Sequence, residues 1–190
     1  MDKKELLIRT ASDLFAQKGY TETSIRDIGK AAKINISLVY YYFKDKEDIL
    51  YNIINRSARD LIVILKEIQS NEPDPLECLR KMIIRQVLFS RETRQATKLV
   101  VMDSYQLHAQ RKADCLRAQR EIYDIYMKQL QRLRESGALD EINLTVVNFV
   151  IFGMLNWFYR WYRDEKSLTE EEVANQMTRI LLSGILKPTP

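Results

Sequence analysis

Residues 23–46, TSIRDIGKAAKINISLVYYYFKDK, constrain the fold more than any other stretch, because they hold two short helical patterns separated by a break. Ile25, Ile28 and Ala32 recur at helical spacing and turn toward a core, with Thr23 or Ser24 placed to cap the first helix. The break falls at Lys33, Ile34 and Asn35. Asn35 is a good N-cap for a second helix over 36–42, in which Val39, Tyr40 and Phe43 are expected to pack inward. Ile36, Ser37, Leu38, Tyr41 and Tyr42 then point outward, a mixture of hydroxyl, aliphatic and phenol groups suited to a surface that fits against something. Two helices joined in this way are how a helix-turn-helix looks in sequence. The same pattern occurs in all-α proteins that bind no nucleic acid, so the pattern alone leaves both readings open.

The rest of the chain reads as helix. In 190 residues there are only five Gly and four Pro, and long runs carry a helical period without strand alternation. Residues 2–18 present Leu7, Ala11, Leu14 and Phe15 as one stripe, with Gly19 at the C′ position. After Lys44-Asp45-Lys46 a long helix over 47–70 carries Leu50, Ile54, Ala58, Leu61, Leu65 and Ile68, and the prolines at 73 and 75 end it. Further helices are expected over 75–91, 93–107, 113–135, 143–163 and 169–186. Ser136-Gly137 closes the third of these, Thr169 to Glu172 reads as a capping box for the last, and 187–190 form a frayed tail.

Charge and motif inventory exclude several classes. The formal charge is only +4 and residues 1–50 are nearly balanced, so net charge does not name nucleic acid; Lys30, Lys33, Lys44 and Lys46 nevertheless flank the motif. No apolar leader and no run of roughly 18 apolar residues is present, so a cytoplasmic protein without a membrane segment is expected. Cys78 and Cys115 are isolated and His108 is the sole histidine, which argues against a metal site. There is no Gly-rich phosphate loop, no His-Glu-x-x-His and no nucleophile elbow. Glu135, Asp140 and Glu141 read as solvated carboxylates at helix ends, and neither catalysis nor a cofactor is expected.

A second informative stretch is 149–163, FVIFGMLNWFYRWYR. Phe149, Gly153, Trp157 and Trp161 fall at steps of four on one stripe, with Asn156, Arg160 and Arg163 beside it. So much aromatic surface must be covered on more than one side. One cover is the protein's own core; the other is a ligand cavity or a second copy of the chain. In the first case Asn156, Trp157, Arg160, Trp161 and Arg163, with Met102, Tyr105 and Tyr123, shape a cavity with an apolar barrel and a cationic rim. Such a cavity suits an amphipathic anion.

The run VYYYFKDK, with GYTETSIRDIGKAA before it, resembles the DNA-binding region of TetR-family transcriptional repressors. The resemblance implies a three-helix helix-turn-helix domain over 1–47, joined by a long helix to a helical effector-binding and dimerisation domain over 48–187. It implies a homodimer on a palindromic double-stranded operator, released by a small-molecule effector. By position it assigns phosphate contacts to Thr23, Ser24, Tyr41, Tyr42 and Lys46, a guanine contact to Arg26, and base-facing positions to Ile36, Ser37 and Leu38 with Asn35 beside them. It leaves Tyr40 in the core of the head. The run GMLNWFYRWYR, followed by SLTEEEVANQMTRILLSGI, is similar to regulators of fatty-acid and steroid catabolism that respond to acyl-CoA, which implies an acyl-CoA effector. The family also implies dimerisation through the last two helices, here with Val173, Met177, Ile180, Leu181 and Ile185 near Gly184. Two departures stand out: Lys33 occupies a turn position where Gly is usual, and Leu38 a position where small residues are frequent. With Ile36 and Leu38 in place of amides, hydrogen-bonded base readout is expected to be sparse and thymine methyls and DNA shape to carry more of the specificity.

Overall fold

A computed structural model describes residues 2–163 and 168–187, and the described residues are almost entirely helical. The helices are α1 (Lys3–Lys18), α2 (Ile25–Ala32), α3 (Ile36–Tyr42), α4 (Lys46–Asn71), α5 (Pro75–Glu92), α6 (Arg94–Met102), α7 (Ala109–Glu135), α8 (Leu144–Trp161) and α9 (Glu170–Ile185). The helix expected over 93–107 is shorter: α6 stops at Met102, a single 3₁₀ turn follows over Ser104–Gln106, and α7 begins four residues earlier than the sequence suggests. Thr169 and Glu172 form the expected capping box, whereas the tail beyond 187 lies outside the described residues.

Each helix end has a visible cause. Gly19, at φ 95°, closes α1 and returns its N–H to the Phe15 carbonyl. Asp45 and Asp48 cap the start of α4 reciprocally: Asp48 N–H donates to the Asp45 carboxylate at 2.6 Å, and Lys44 N–H to that of Asp48 at 3.0 Å. Asp74 accepts from Glu77 N–H at 2.7 Å, and Pro75 takes the first helical position, where a missing N–H costs nothing.

The chain divides into two compact units, one of Met1–Arg59 with Thr93–Ala118, the other of Asp60–Glu92 with Gln119–Pro190. This division differs from the expected cut after residue 47. The first unit takes in α6 and the start of α7 because its core needs them. Leu7, Ala11 and Phe15 of α1, Ile28 and Ala32 of α2, Val39 of α3 and Ile49, Leu50, Ile53 and Ile54 of α4 share one buried cluster with Leu99, Leu107 and Cys115. Each of the Leu, Ile, Val and Phe side chains contributes about 1.5–3 kcal/mol by leaving water. Lys98 donates to the Ala16 carbonyl at 2.5 Å, and Tyr51 to Asp114 at 3.2 Å.

In the second unit α5 lies against both α8 and α9. Leu79, Met82, Ile83 and Val87 of α5 are buried, as are Val147, Ile151, Leu155 and Phe158 of α8. The expected dimer stripe on α9 needs correction. Val173, Leu181 and Ile185 are buried within the protomer because α9 turns that face to α5, while Ile180 alone of the apolar set is well exposed, at 71%. Both cysteines are buried, which pushes their thiols up, Cys115 to about 11, and leaves them poor nucleophiles.

Gly29 permits the tightest approach in the first unit. A Cβ there would sit 3.0 Å from the Ile34 carbonyl oxygen. Replacing Gly29 with Ala should lower stability by about 1 kcal/mol, because overpacking against backbone outweighs the better helix propensity of Ala. The check is a thermal melt, with Tm expected to fall by roughly 2–4 °C; an unchanged or raised Tm would show that the turn yields without strain.

Candidate nucleic-acid interface

The motif begins with a complete capping box: Asp27 N–H donates to Ser24 Oγ at 3.1 Å, and Ser24 N–H to the Asp27 carboxylate at 2.9 Å. The Ser24 hydroxyl and N–H bonds hold the Asp27 carboxyl below its ordinary range. Ser24 is therefore the cap. Thr23 is only 1% exposed and its hydroxyl donates to the Gly19 carbonyl at 2.8 Å, so its side chain stabilises the loop and is not offered to a phosphate.

The turn is closed by Ile34 N–H donating to the Gly29 carbonyl at 2.8 Å. Lys33, where Gly is usual, adopts the left-handed conformation at φ 55°, ψ 38°. Asn35 then caps α3, accepting from Ser37 N–H at 2.9 Å. Val39 and Phe43 are buried as expected, but of the three tyrosines between them Tyr40 and Tyr42 exchange roles. Tyr40 is 56% exposed, whereas Tyr42 packs partly against the head's core and lies edge-on to Tyr41. The reason is helical phase: Tyr42 lies three residues after Val39 and one before Phe43, while Tyr40 sits one turn after the partly exposed Ile36. The outward face of α3 therefore consists of Ser37, Tyr40 and Tyr41, bordered by half-exposed Ile36 and Leu38. Tyr40 was missed by the sequence pattern. Arg26, Lys30, Lys33 and Lys44 are exposed around this face.

Lys46 is employed inside the head. Its ammonium donates to the Tyr20 and Thr21 carbonyls at 2.9 and 3.1 Å and lies 4.4 Å from the centre of the Tyr20 ring. Burial, followed by the charges of Glu47 and Asp45, pushes the Tyr20 phenol up to about 12. Arg111 meets Asp45 at 2.9 Å and Glu47 at 3.5 Å, fixing the start of α7 to the first turn of α4, immediately after the recognition helix. Such a chain of ties gives α3 the rigid support a groove-reading helix requires.

The residues expected to line an effector cavity do not gather in one. Met102 and Tyr105 are exposed in the first unit, at 44% and 66%. In the second unit Tyr123 stacks on Phe152, at 6.3 Å between ring centres, and carries the Arg120 guanidinium over its face. Asn156, Trp157, Arg160, Trp161 and Arg163 are exposed, and Arg160 lies 5.1 Å over the Trp157 ring. These aromatics belong to an outward stripe of α8: Val146, Phe149, Val150, Gly153, Trp157 and Trp161. A groove of about 700 Å³ in this unit, lined by Met127, Arg134, Leu139, Ile142 and Lys187 among others, contains none of the expected residues. The described residues contain no group of three or more His, Cys, Asp or Glu placed to hold a metal ion, and no helix long and apolar enough to cross a membrane.

Residues 7–53, which span the motif, match the model described as "Bacterial regulatory proteins, tetR family", and residues 72–185 match "Tetracyclin repressor-like, C-terminal domain". The chain belongs to the tetR family. It is similar to the transcriptional regulator YuxN of Bacillus subtilis, at 35% identity over 43% of this chain and 28% of YuxN. That match spans less than a third of YuxN's length. The repressor KstR2 of Mycobacterium tuberculosis aligns over 95% of this chain and 92% of its own, at 26% identity. The solved structure of that KstR2, described as a ketosteroid transcriptional regulator, superposes with a TM-score of 0.90 at 22% identity, covering 98% of this chain and 96% of that one. The structure of AibR, solved with isovaleryl coenzyme A and operator DNA, gives 0.86 at 23% identity, covering 95% and 98%. At these identities the two structures establish a shared fold.

The tetR-family head yields a test of Lys46. Lys46→Met should destabilise the first unit by about 1–2 kcal/mol, because two carbonyls lose a charged donor. Thermal melts and operator binding at several salt concentrations check this: stability falls, while the dependence of log affinity on log salt keeps its slope. A slope shallower by about 0.9 would instead mark Lys46 as a phosphate contact.

Proposed function

We propose that this regulator is a cytoplasmic repressor that grips a roughly palindromic operator as a homodimer and releases it when a small amphipathic effector, an acyl-CoA thioester, binds the helical second unit. The observation that carries the DNA reading is the outward face of α3, with Ser37, Tyr40 and Tyr41 on a helix capped by Asn35 and backed by buried Val39 and Phe43. Two such helices related by a two-fold axis meet successive major grooves. Ser24 and the N-terminus of α2 suit phosphate, Arg26 a guanine edge, and Ile36 and Leu38 thymine methyls. Tyr40, Tyr41 and Lys44 complete the phosphate set, with Tyr42 at its margin.

The effector class is supported by the ligand named with AibR and by the ketosteroid regulator KstR2. Release needs no covalent chemistry. An effector that binds better to a dimer whose heads are misplaced for the operator lowers DNA affinity, and DNA lowers effector affinity by the same factor.

The outward stripe of α8 supports the dimer. Phe149 is 63% exposed and Val146, Val150 and Trp157 each more than half, a continuous apolar strip on a protein that a second copy can cover. Gly153 stands within it, and a Cβ there would meet nothing within 4 Å in the protomer, leaving room for a partner helix.

Fluorescence anisotropy on duplex from upstream of the protein's own gene tests the whole reading. We expect tight binding that falls steeply with salt, and release by one chain-length class of acyl-CoA but not by free CoA. Weak, salt-insensitive binding would remove the repressor; tight binding indifferent to every thioester would remove the acyl-CoA effector alone. Separately, Phe149→Asp should give a folded monomer by analytical ultracentrifugation with operator affinity reduced more than about tenfold, since a desolvated charge in the interface costs several kcal/mol. An intact dimer would move the interface off α8.

A further inference from the structure

The exposed cations of α2 stand in one line. Arg26 and Lys30 are four residues apart, which separates them by about 40° around the helix and about 6 Å along it. Lys33 follows at the end of the helix, its N–H donating to the Lys30 carbonyl at 3.2 Å. All three are exposed, and none forms a side-chain hydrogen bond or ion pair with any described residue. Asp27 is the one acid of α2, and Ser24 takes up its carboxylate through its N–H at 2.9 Å and its hydroxyl at 2.6 Å. The opposite face of the helix, with Ile28, Gly29 and Ala32, is buried.

This line carries two costs that folding leaves unexplained. Like charges four residues apart on a helix repel one another. Lys33 also holds a left-handed backbone, φ 55° and ψ 38°, which Gly adopts freely and a residue with a Cβ resists. Such outliers cluster at functional positions. One structural role is available, since a cation favours the carbonyl end of a helix, but Lys30 in the last turn of α2 already fills it. A row of unpaired cations suits a row of anions. In a helix-turn-helix the first helix crosses the DNA backbone, and a ridge of about 10 Å from Arg26 to Lys33 is long enough to meet more than one phosphate of a strand.

We propose that Lys30 and Lys33 continue the line begun at Arg26 along the sugar–phosphate backbone of one DNA strand, so that α2 as well as α3 holds the duplex. The proposal rests on the DNA reading above and adds two contacts outside the recognition helix. Neither carries a base preference, because an ammonium on a phosphate reads charge alone. Lys33 reaches out from the turn, where a Gly would leave the backbone relaxed and the contact unmade.

The test is fluorescence anisotropy of the full-length protein over a range of salt, on duplex from upstream of its own gene and on an unrelated duplex of the same length. Lys30→Gln and Lys33→Asn each remove one charge, and Asn tolerates the left-handed backbone. Each should weaken binding to both duplexes by about five- to tenfold per head at about 0.1 M salt, and make the slope of log affinity against log salt shallower by about 0.9 per head. Lys33→Arg should keep the wild-type slope. Lys33→Gly should lose affinity like Lys33→Asn while melting at or above the wild-type Tm, a separation of binding from stability that a merely structural lysine would not show. Lys128→Gln, at an exposed lysine of the second unit, should change neither affinity nor slope. A wild-type slope in both Lys30→Gln and Lys33→Asn would overturn the ridge and leave the DNA reading in place. An equal loss in Lys128→Gln would overturn it too, by marking net charge as the cause. Weak, salt-insensitive binding by the wild type would remove the DNA reading and the ridge together.

Discussion

The bond from Ile34 N–H to the Gly29 carbonyl sets the angle between α2 and α3, and the rest of the head is arranged to keep it. It forms only because Gly29 carries no side chain at the point where the Ile34 carbonyl comes closest. It also requires Lys33 to hold a left-handed conformation that costs an ordinary residue about 1 kcal/mol. That cost is offset by what surrounds it. Ser24 and Asn35 cap the two helices, and Val39 and Phe43 seat α3 in a core shared with α1 and α4. The carbonyls of the preceding loop are held by Lys46. A recognition helix of seven residues is too short to be stable alone, so its rigidity is a property of these attachments.

Much of the head was legible in sequence because caps and turns are local. Asn35 as a cap and Lys33 at the turn each announce themselves within four residues, whereas the choice of Ser24 over Thr23 as the cap of α2 is settled only by Asp27 completing the box. What misled was the choice between neighbours on one short helix. Tyr40 and Tyr42 have the same chemistry, and seven residues give too few repeats to fix the phase, so only the packing of α3 against α1 and α4 decides which phenol faces solvent. Thr23 and Lys46 illustrate a second limit. Both carry groups able to bind phosphate, and nothing local reveals that the Gly19, Tyr20 and Thr21 carbonyls have already taken them.

The same limit applies to α8. Its composition says that both faces must be covered, but not by what. The structure turns Val147, Ile151, Leu155 and Phe158 inward and leaves Phe149, Val150, Trp157 and Trp161 outside. The aromatic residues that suggested a ligand cavity thus form the outer stripe, while the groups with unmet hydrogen-bonding capacity, Asn148 and Tyr159, lie on the inner face among aliphatic neighbours. A periodicity argument weights large aromatic residues and passes over a single amide. An accounting of donors and acceptors reverses that weighting.

Two helices, α4 and α7, contribute residues to both compact units without interruption. In the first unit they are tied to each other by Tyr51 with Asp114 and by the Arg111 carboxylate cluster; in the second, Gln69 donates to the Ile125 carbonyl. Coupling of about 1–3 kcal/mol between two sites is typical of allosteric proteins. An effector shifts operator affinity only by its unequal affinity for two conformations, and without such a difference no ligand, however tightly bound, shifts the equilibrium.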